Sequence, residues 1–139
     1  MIRDGAHHFT VRVYYEDTDA GGVVYHATYL RFAERARTEA LRDLGVPHAE
    51  MESLHGRIFM VRRVKLDYLA PARLDDSLTI TTRPTAIRGA SVDLRQTFLR
   101  EGHEIVVAEL SLACVSKATG RAARVPPKWA EALQALMDG

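Results

Sequence analysis

Between Val24 and Leu44 the spacing of apolar side chains changes from every second residue to every third or fourth. Tyr29, Ala33, Ala36, Ala40 and Leu44, joined by Leu30 and Leu41, fall on one face of the helix that this spacing implies. Arg31, Glu34, Arg35, Thr38, Glu39 and Arg42 fall on the other. Glu34–Arg37 and Glu39–Arg42 are spaced for side-chain pairing, and Gly45 stands where a left-handed helix stop is expected. The apolar face is rich in alanine. Small side chains let a helix axis lie close to a flat surface, so this segment predicts a helix pressed onto a sheet.

The flanking segments supply that sheet. Residues 8–15 alternate, with Phe9, Val11 and Val13 on one face. After a loop containing Pro47, the chain to about residue 118 reads as four strands, broken at Pro71 with Asp75-Asp76, at Arg88-Gly89 and at Glu101-Gly102. Turns this short require antiparallel pairing, because parallel neighbours need a crossover. Pro126-Pro127 then opens a short helix over Lys128 to Met137. The expected architecture is α+β: one domain over residues 1–139, with an antiparallel sheet of about five strands around one long central helix, plus a short C-terminal helix. His7 and His8 are expected to be mobile. One long helix cannot cover both faces of such a sheet. The second face is therefore polar, or another subunit covers it or extends its edge, which favours a homodimer or homotetramer.

Bulk properties narrow the function. A chain of 139 residues has nineteen basic and eighteen acidic side chains, which gives no electrostatic reason to expect nucleic acid as the main partner. No stretch approaches the ~18 apolar residues of a membrane span, and the N-terminus has no signal-like apolar run. The cytoplasm, without membrane insertion, is the expected location. The single cysteine, Cys114, lies in an apolar strand and is expected to pack as a small hydrophobe.

The segment that carries chemistry is Tyr14 to Thr38, where a strand leads through an acidic turn with Gly21-Gly22 into the helix. Amides in the first turn of a helix lack intrahelical partners and carry partial positive charge, and glycines before that turn allow a substrate to approach the backbone. A carboxylate beside such donors suits acyl transfer, which needs an activated water or nucleophile and a stabilised oxyanion. The same residues also make an ordinary capping turn. The turn lacks the ligands of a calcium loop, and neither phosphate-binding glycine patterns nor paired metal-ligand spacings occur.

The run Tyr14-Tyr15-Glu16-Asp17-Thr18-Asp19-Ala20-Gly21-Gly22-Val23-Val24-Tyr25-His26, continued by Glu34 to Thr38, Val64 to Asp76 and Arg88 to Val92, closely resembles the YbgC-like branch of the hot dog-fold acyl-CoA thioesterases, related to 4-hydroxybenzoyl-CoA thioesterases. The resemblance spans nearly the whole chain. It implies a hot dog fold and hydrolysis of acyl-CoA to free acid and CoA without a cofactor or metal. It places the catalytic carboxylate, as general base or nucleophile, on Asp19, and a backbone donor at Tyr25 or His26. His26 and Tyr15 fall beside the reaction centre, and Asp17 is read as structural. Gly22, Val24, Tyr25 and Thr28 fall along the substrate, with Thr28 standing where the family usually has Asn. Arg88, in the Arg88-Gly89-Ala90-Ser91 stretch, is the first candidate for the coenzyme A phosphates, with Arg62, Arg63 and Lys65 behind it, and Ser91 joins the substrate-binding residues. Two other functions fit the same resemblance: a non-catalytic module binding acyl-CoA or an acyl-carrier protein, and a hot dog-fold dehydratase.

Overall fold

The computed structural model describes residues 1–139. Its elements run β1 (Ile2–Arg3), β2 (Ala6–Arg12), α1 (Thr28–Asp43), α2 (His48–His55), β3 (Arg57–Tyr68), β4 (Ser77–Arg88), β5 (Ser91–Arg100), β6 (His103–Ser116) and α3 (Pro127–Asp138). The six strands form one antiparallel sheet in the order β1-β2-β4-β5-β6-β3. The α+β architecture and the four strands after the central helix are as expected. The sixth strand is the two-residue β1, too short to show a period.

Two cores hold α1 on the sheet. Tyr29, Phe32, Ala33 and Ala36 pack against Val11, Leu78, Ile80, Phe98 and Val106. Farther along, Leu41 joins Val46, Met51, Leu94, Leu112, Cys114, Trp129 and Leu133. The alanine stripe is buried as expected, whereas Leu30 stays 40 % exposed and Phe32 takes its place. Gly45 ends the helix at φ 79°. Cys114 is fully buried, and burial pushes its thiol pKa up.

The sequence reading needs three corrections. Helix α1 begins at Thr28 rather than near Val24, because Val24 N–H bonds to Ala72 O and Tyr25 N–H to Asp17 O. The segment after Pro47, expected as loop, forms helix α2. It buries only Met51, so it shows no stripe. His7 is not mobile: it is 1 % exposed and its Nε2 lies 2.7 Å from Asp43 Oδ2.

The sheet face away from α1 carries cross-strand charges, with Glu109 paired opposite Lys65 and Arg95. That face is polar and open, lined by Arg63, Lys65, Asp93, Arg95 and Glu109. The edge is different. β3 pairs only with β6, and Met60, Val61, Val64, Tyr68 and Leu69 are exposed along it or just past its end. No helix is long and apolar enough to cross a membrane.

Candidate active site

The acidic turn is built by its own backbone. Asp17 is buried, and its Oδ2 accepts the Tyr14 N–H at 2.8 Å, while its carbonyl accepts the Tyr25 N–H at 3.0 Å. These bonds fold residues 15–17 into a single 3-10 turn. Asp17 is thus structural, as read. Thr18 and Val24 bridge across the turn, with Gly22 at φ 79° between them, a conformation that side chains with a Cβ disfavour. A second bridge, Val23 to Arg73, ties the turn to the loop before β4.

Asp19 sits at the tip and is exposed. Its Oδ1 accepts the Gly21 N–H at 2.8 Å and the Val23 N–H at 3.4 Å. A Cβ on Gly21 would lie 3.2 Å from that oxygen, so Gly21 leaves the carboxylate room. Asp19 Oδ2 has no hydrogen bond, and no cation pairs with the residue. One oxygen is therefore oriented by the loop while the other has no partner in the chain.

The start of α1 presents donors. Ala27 is the N-cap and offers no side-chain cap, and the first turn contains no acidic residue. Thr28 N–H bonds to Tyr25 O and Leu30 N–H to Ala27 O, leaving the His26, Ala27 and Tyr29 N–H groups without partners in the chain. Tyr25 N–H is committed to Asp17, so of the two amides offered by the sequence only that of His26 is free. An uncapped helix start with open amides and no carboxylate in its first turn attracts negative charge.

A cavity of about 280 Å³ adjoins these amides, lined by Val24, His26, Tyr29, Tyr68, Leu69, Ala70 and Pro71. Tyr29 Oη accepts the Ala72 N–H at 3.2 Å, and burial pushes the Tyr29 pKa up. Tyr68 Oη donates to His26 O at 3.3 Å. These contacts hold the 68–72 segment over the helix start. Sequence reasoning missed Tyr29 and Tyr68 as site residues. Both read as packing, and only their contacts with Ala72 and His26 reveal them.

The other expected residues divide. Val24 and His26 line the cavity, Gly22 shapes the turn, and Tyr25 is exposed, with its ring 4.3 Å from that of His26. Thr28 is buried, and its hydroxyl accepts from Arg31 at 3.3 Å. Tyr15 is not an alternating strand residue. It lies in the 3-10 turn, is 81 % exposed, and faces an open hollow with Leu74 and Asp75 rather than the cavity beside His26. Arg88 and Ser91 lie at the hairpin between β4 and β5. The other end of β4, Ser77, pairs with Arg12 near the acidic turn. At ~3.3 Å per strand residue, Arg88 stands roughly 35 Å from Ser77. Arg88 is paired with Asp93 at 2.8 Å. Within one chain, the cations proposed for coenzyme A are thus at the wrong end of the sheet for Asp19. Arg62 donates to Ser111, and Arg63 and Lys65 line the charged open face.

The model of the thioesterase-like superfamily matches residues 13–133. The acyl-CoA thioesterase YbgC of Haemophilus influenzae is 44 % identical over 112 residues, covering 81 % of this chain and 82 % of that protein. The acyl-CoA thioester hydrolase YbgC of Escherichia coli is 48 % identical over 108 residues, covering 76 % and 78 %. Among solved structures, a probable thioesterase from Bartonella henselae superposes with a TM-score of 0.81 at 37 % identity, covering 87 % of this chain and 99 % of that one.

Proposed function

The chain belongs to the thioesterase-like superfamily as a YbgC-like hot dog-fold member, and from that premise we propose that it hydrolyses acyl-CoA thioesters through Asp19 and the open amides at the start of α1. The observation that carries this is a carboxylate oxygen without a partner, Asp19 Oδ2, on the loop that leads directly into an uncapped helix start whose His26 and Ala27 N–H groups donate to nothing.

As general base, Asp19 takes a proton from water as the water oxygen attacks the thioester carbonyl carbon. As nucleophile, Oδ2 itself attacks and forms a mixed anhydride that water then opens. In both routes the carbonyl oxygen gains charge and meets the helix amides, a contribution of a few kcal/mol for each well-aimed donor. The carbon–sulfur bond breaks, the thiolate collects a proton, and the acid and CoA thiol leave. In this reading His26, exposed beside the cavity at the helix start, protonates the thiolate or orders water.

A homodimer completes the site. Pairing two β3 edges about a two-fold axis covers the unpaired N–H and C=O groups of a twelve-residue strand and its exposed apolar side chains. The axis sets the Arg57 end of one β3 beside the Tyr68 end of the other. The Arg88–Ser91 hairpin of each subunit is thereby carried towards the other's Asp19, where its cation meets the CoA phosphates. A homotetramer needs a further contact beyond this edge. An acyl-carrier protein presents the same thioester on the same thiol arm, so it is an alternative donor.

Free-thiol release from a panel of acyl-CoA esters, short to long and aromatic, tests the activity. Turnover with at least one ester is expected. Tight binding without thiol release makes the chain a binding module instead, and interconversion of crotonyl and hydroxyacyl thioesters makes it a dehydratase.

A further inference from the structure

A second cavity, of about 390 Å³, lies beneath the C-terminal half of α1, away from the acidic turn. Its walls are Leu41, Phe59, Val92, Leu94, Leu112 and Leu133, and Arg37 and His48 enter it from α1 and α2. Its volume falls within the range of small-molecule sites, ~300–1,000 Å³.

Arg37 is the unusual feature. Its Nη1 donates to Gln96 Oε1 at 3.1 Å, and no carboxylate lies within ion-pair distance of its guanidinium. Glu34, one turn earlier and spaced to pair, leaves it unpaired, whereas Glu39 and Arg42 pair at 3.4 Å on the same helix. Gln96 is fully buried, and its Nε2 donates to Ala33 O and Thr82 Oγ1, each at 3.0 Å. Arg37 is thus held at a fixed point with most of its five donors unused. Two other charged residues reach the wall: Glu34, which forms no ion pair with Arg37 but acts on it and on His48 through space, and Glu52, which is paired with Lys117. Burial, then the charge of Arg37, push the His48 pKa down, so His48 faces the cavity as a neutral hydrogen-bonding ring. An unpaired, partly desolvated guanidinium above an apolar chamber is complementary to an anion carried on a hydrocarbon.

We propose that this cavity binds the carboxylate of an aliphatic chain, with its head on Arg37 beside His48 and its tail among Leu41, Phe59, Leu94, Leu112 and Leu133. The head comes either from a free fatty acid, the class of product that the proposed hydrolysis releases, or from the far end of a dicarboxylic acyl thioester. Within one chain the site is separate from Asp19. Arg37 lies nine residues beyond Thr28, roughly 14 Å along the axis at ~1.5 Å per residue, and the intervening Phe32, Ala33 and Ala36 are closed against the sheet.

Trp129 is the only tryptophan and packs in the same core as the wall residues Leu41, Leu94 and Leu133, so its emission follows changes in that wall. The test titrates the purified protein with octanoate and with octanol, following calorimetry and Trp129 emission together. Saturable octanoate binding is expected, with octanol weaker by at least about tenfold, the scale of a charge-assisted hydrogen bond. Arg37→Gln removes that preference, and Arg37→Lys keeps part of it. Leu94→Phe, which narrows the tail chamber and keeps Arg37, weakens octanoate as well, so the tail half of the proposal is tested even where Arg37→Gln fails to fold. Asp19→Asn binds octanoate as the parent does, so failure of the Asp19 mechanism leaves this result unchanged. Equal binding of octanol and octanoate, an Arg37→Gln protein that keeps the preference, or no saturable octanoate binding overturns the proposal. Suberyl-CoA against octanoyl-CoA separates the two sources. A kcat/KM loss in Arg37→Gln confined to suberyl-CoA assigns the head to the acyl group, and equal kcat/KM changes for the two esters assign it to the free acid.

Discussion

At its N-terminal end α1 meets a loop of glycines, a carboxylate and amides without partners. At its C-terminal end it meets side chains from two more helices and four strands. The first end is specified by backbone: Gly22 at positive φ, the Asp17 bonds to Tyr14 and Tyr25, and an N-cap that supplies no side chain. The second end is specified by packing around Trp129, with one ordered cation, Arg37. A site built from backbone leaves its polar groups open to a substrate and contributes little to stability. A packed chamber stabilises the fold and admits only a ligand that matches its shape and charge. Stability and activity are therefore expected to separate along a single helix.

Four substitutions probe that separation, taken from large effect to small. Trp129→Ala empties the centre of the C-terminal core and is expected to lower stability by ~3–5 kcal/mol, read by denaturant unfolding. The acidic turn is untouched, so the folded fraction should retain its turnover. Gly22→Val forces a β-branched residue to φ 79° and is expected to cost ~1–3 kcal/mol of local strain. Turnover should fall more than the melting temperature does, and the reverse order would make the turn a stability element. Tyr29→Phe leaves the Ala72 N–H without its acceptor, a loss of about 1 kcal/mol, measured by thermal unfolding alongside kcat.

The smallest effect concerns Asp43, near the C-terminal end of α1. The hydrogen bond from His7, then that from the N-terminal amine, holds the Asp43 pKa below the usual carboxylate range. A depressed carboxylate pKa stabilises the fold above the unfolded value of ~3.9 and loses that contribution as pH falls through the folded value. Asp43→Asn should therefore melt lower than the parent at neutral pH, by at most about 1 kcal/mol for so exposed a pair. The gap should begin to narrow near pH ~4 and close as pH falls through the lower folded value. A gap that persists in acid would mean that packing, not charge, holds His7.

Much of this was legible in the sequence. The alanine stripe gave α1 its partner surface, Gly45 gave its end, and Glu101-Gly102 gave the β5–β6 turn. The acidic turn was legible as a run of residue types because it is local, each bond spanning only a few positions. What was missed depends on distance in the chain. The apolar run Val23–Ala27 imitates a helix start, but its backbone bonds go to Asp17 and Ala72. Helix α2 buries a single side chain, so periodicity cannot announce it. The remoteness of Arg88 from Asp19 follows from the length and direction of β4, which residue types do not encode. The spacing sets Arg37 to pair with Glu34, a pair that does not form. The register that sets Gln96 opposite Thr82, and so beneath Arg37, exists only in the folded sheet.

The account rests on the Asp19 carboxylate acting at the open end of α1, and an isosteric change that removes its charge tests this most directly. Asn at position 19 keeps an oxygen for the Gly21 and Val23 amides and deletes the base. Thiol release from the best acyl-CoA ester is predicted to fall by at least ~100-fold in Asp19→Asn, with the unfolding midpoint unchanged. Near-parental turnover by the folded Asn protein would contradict the mechanism.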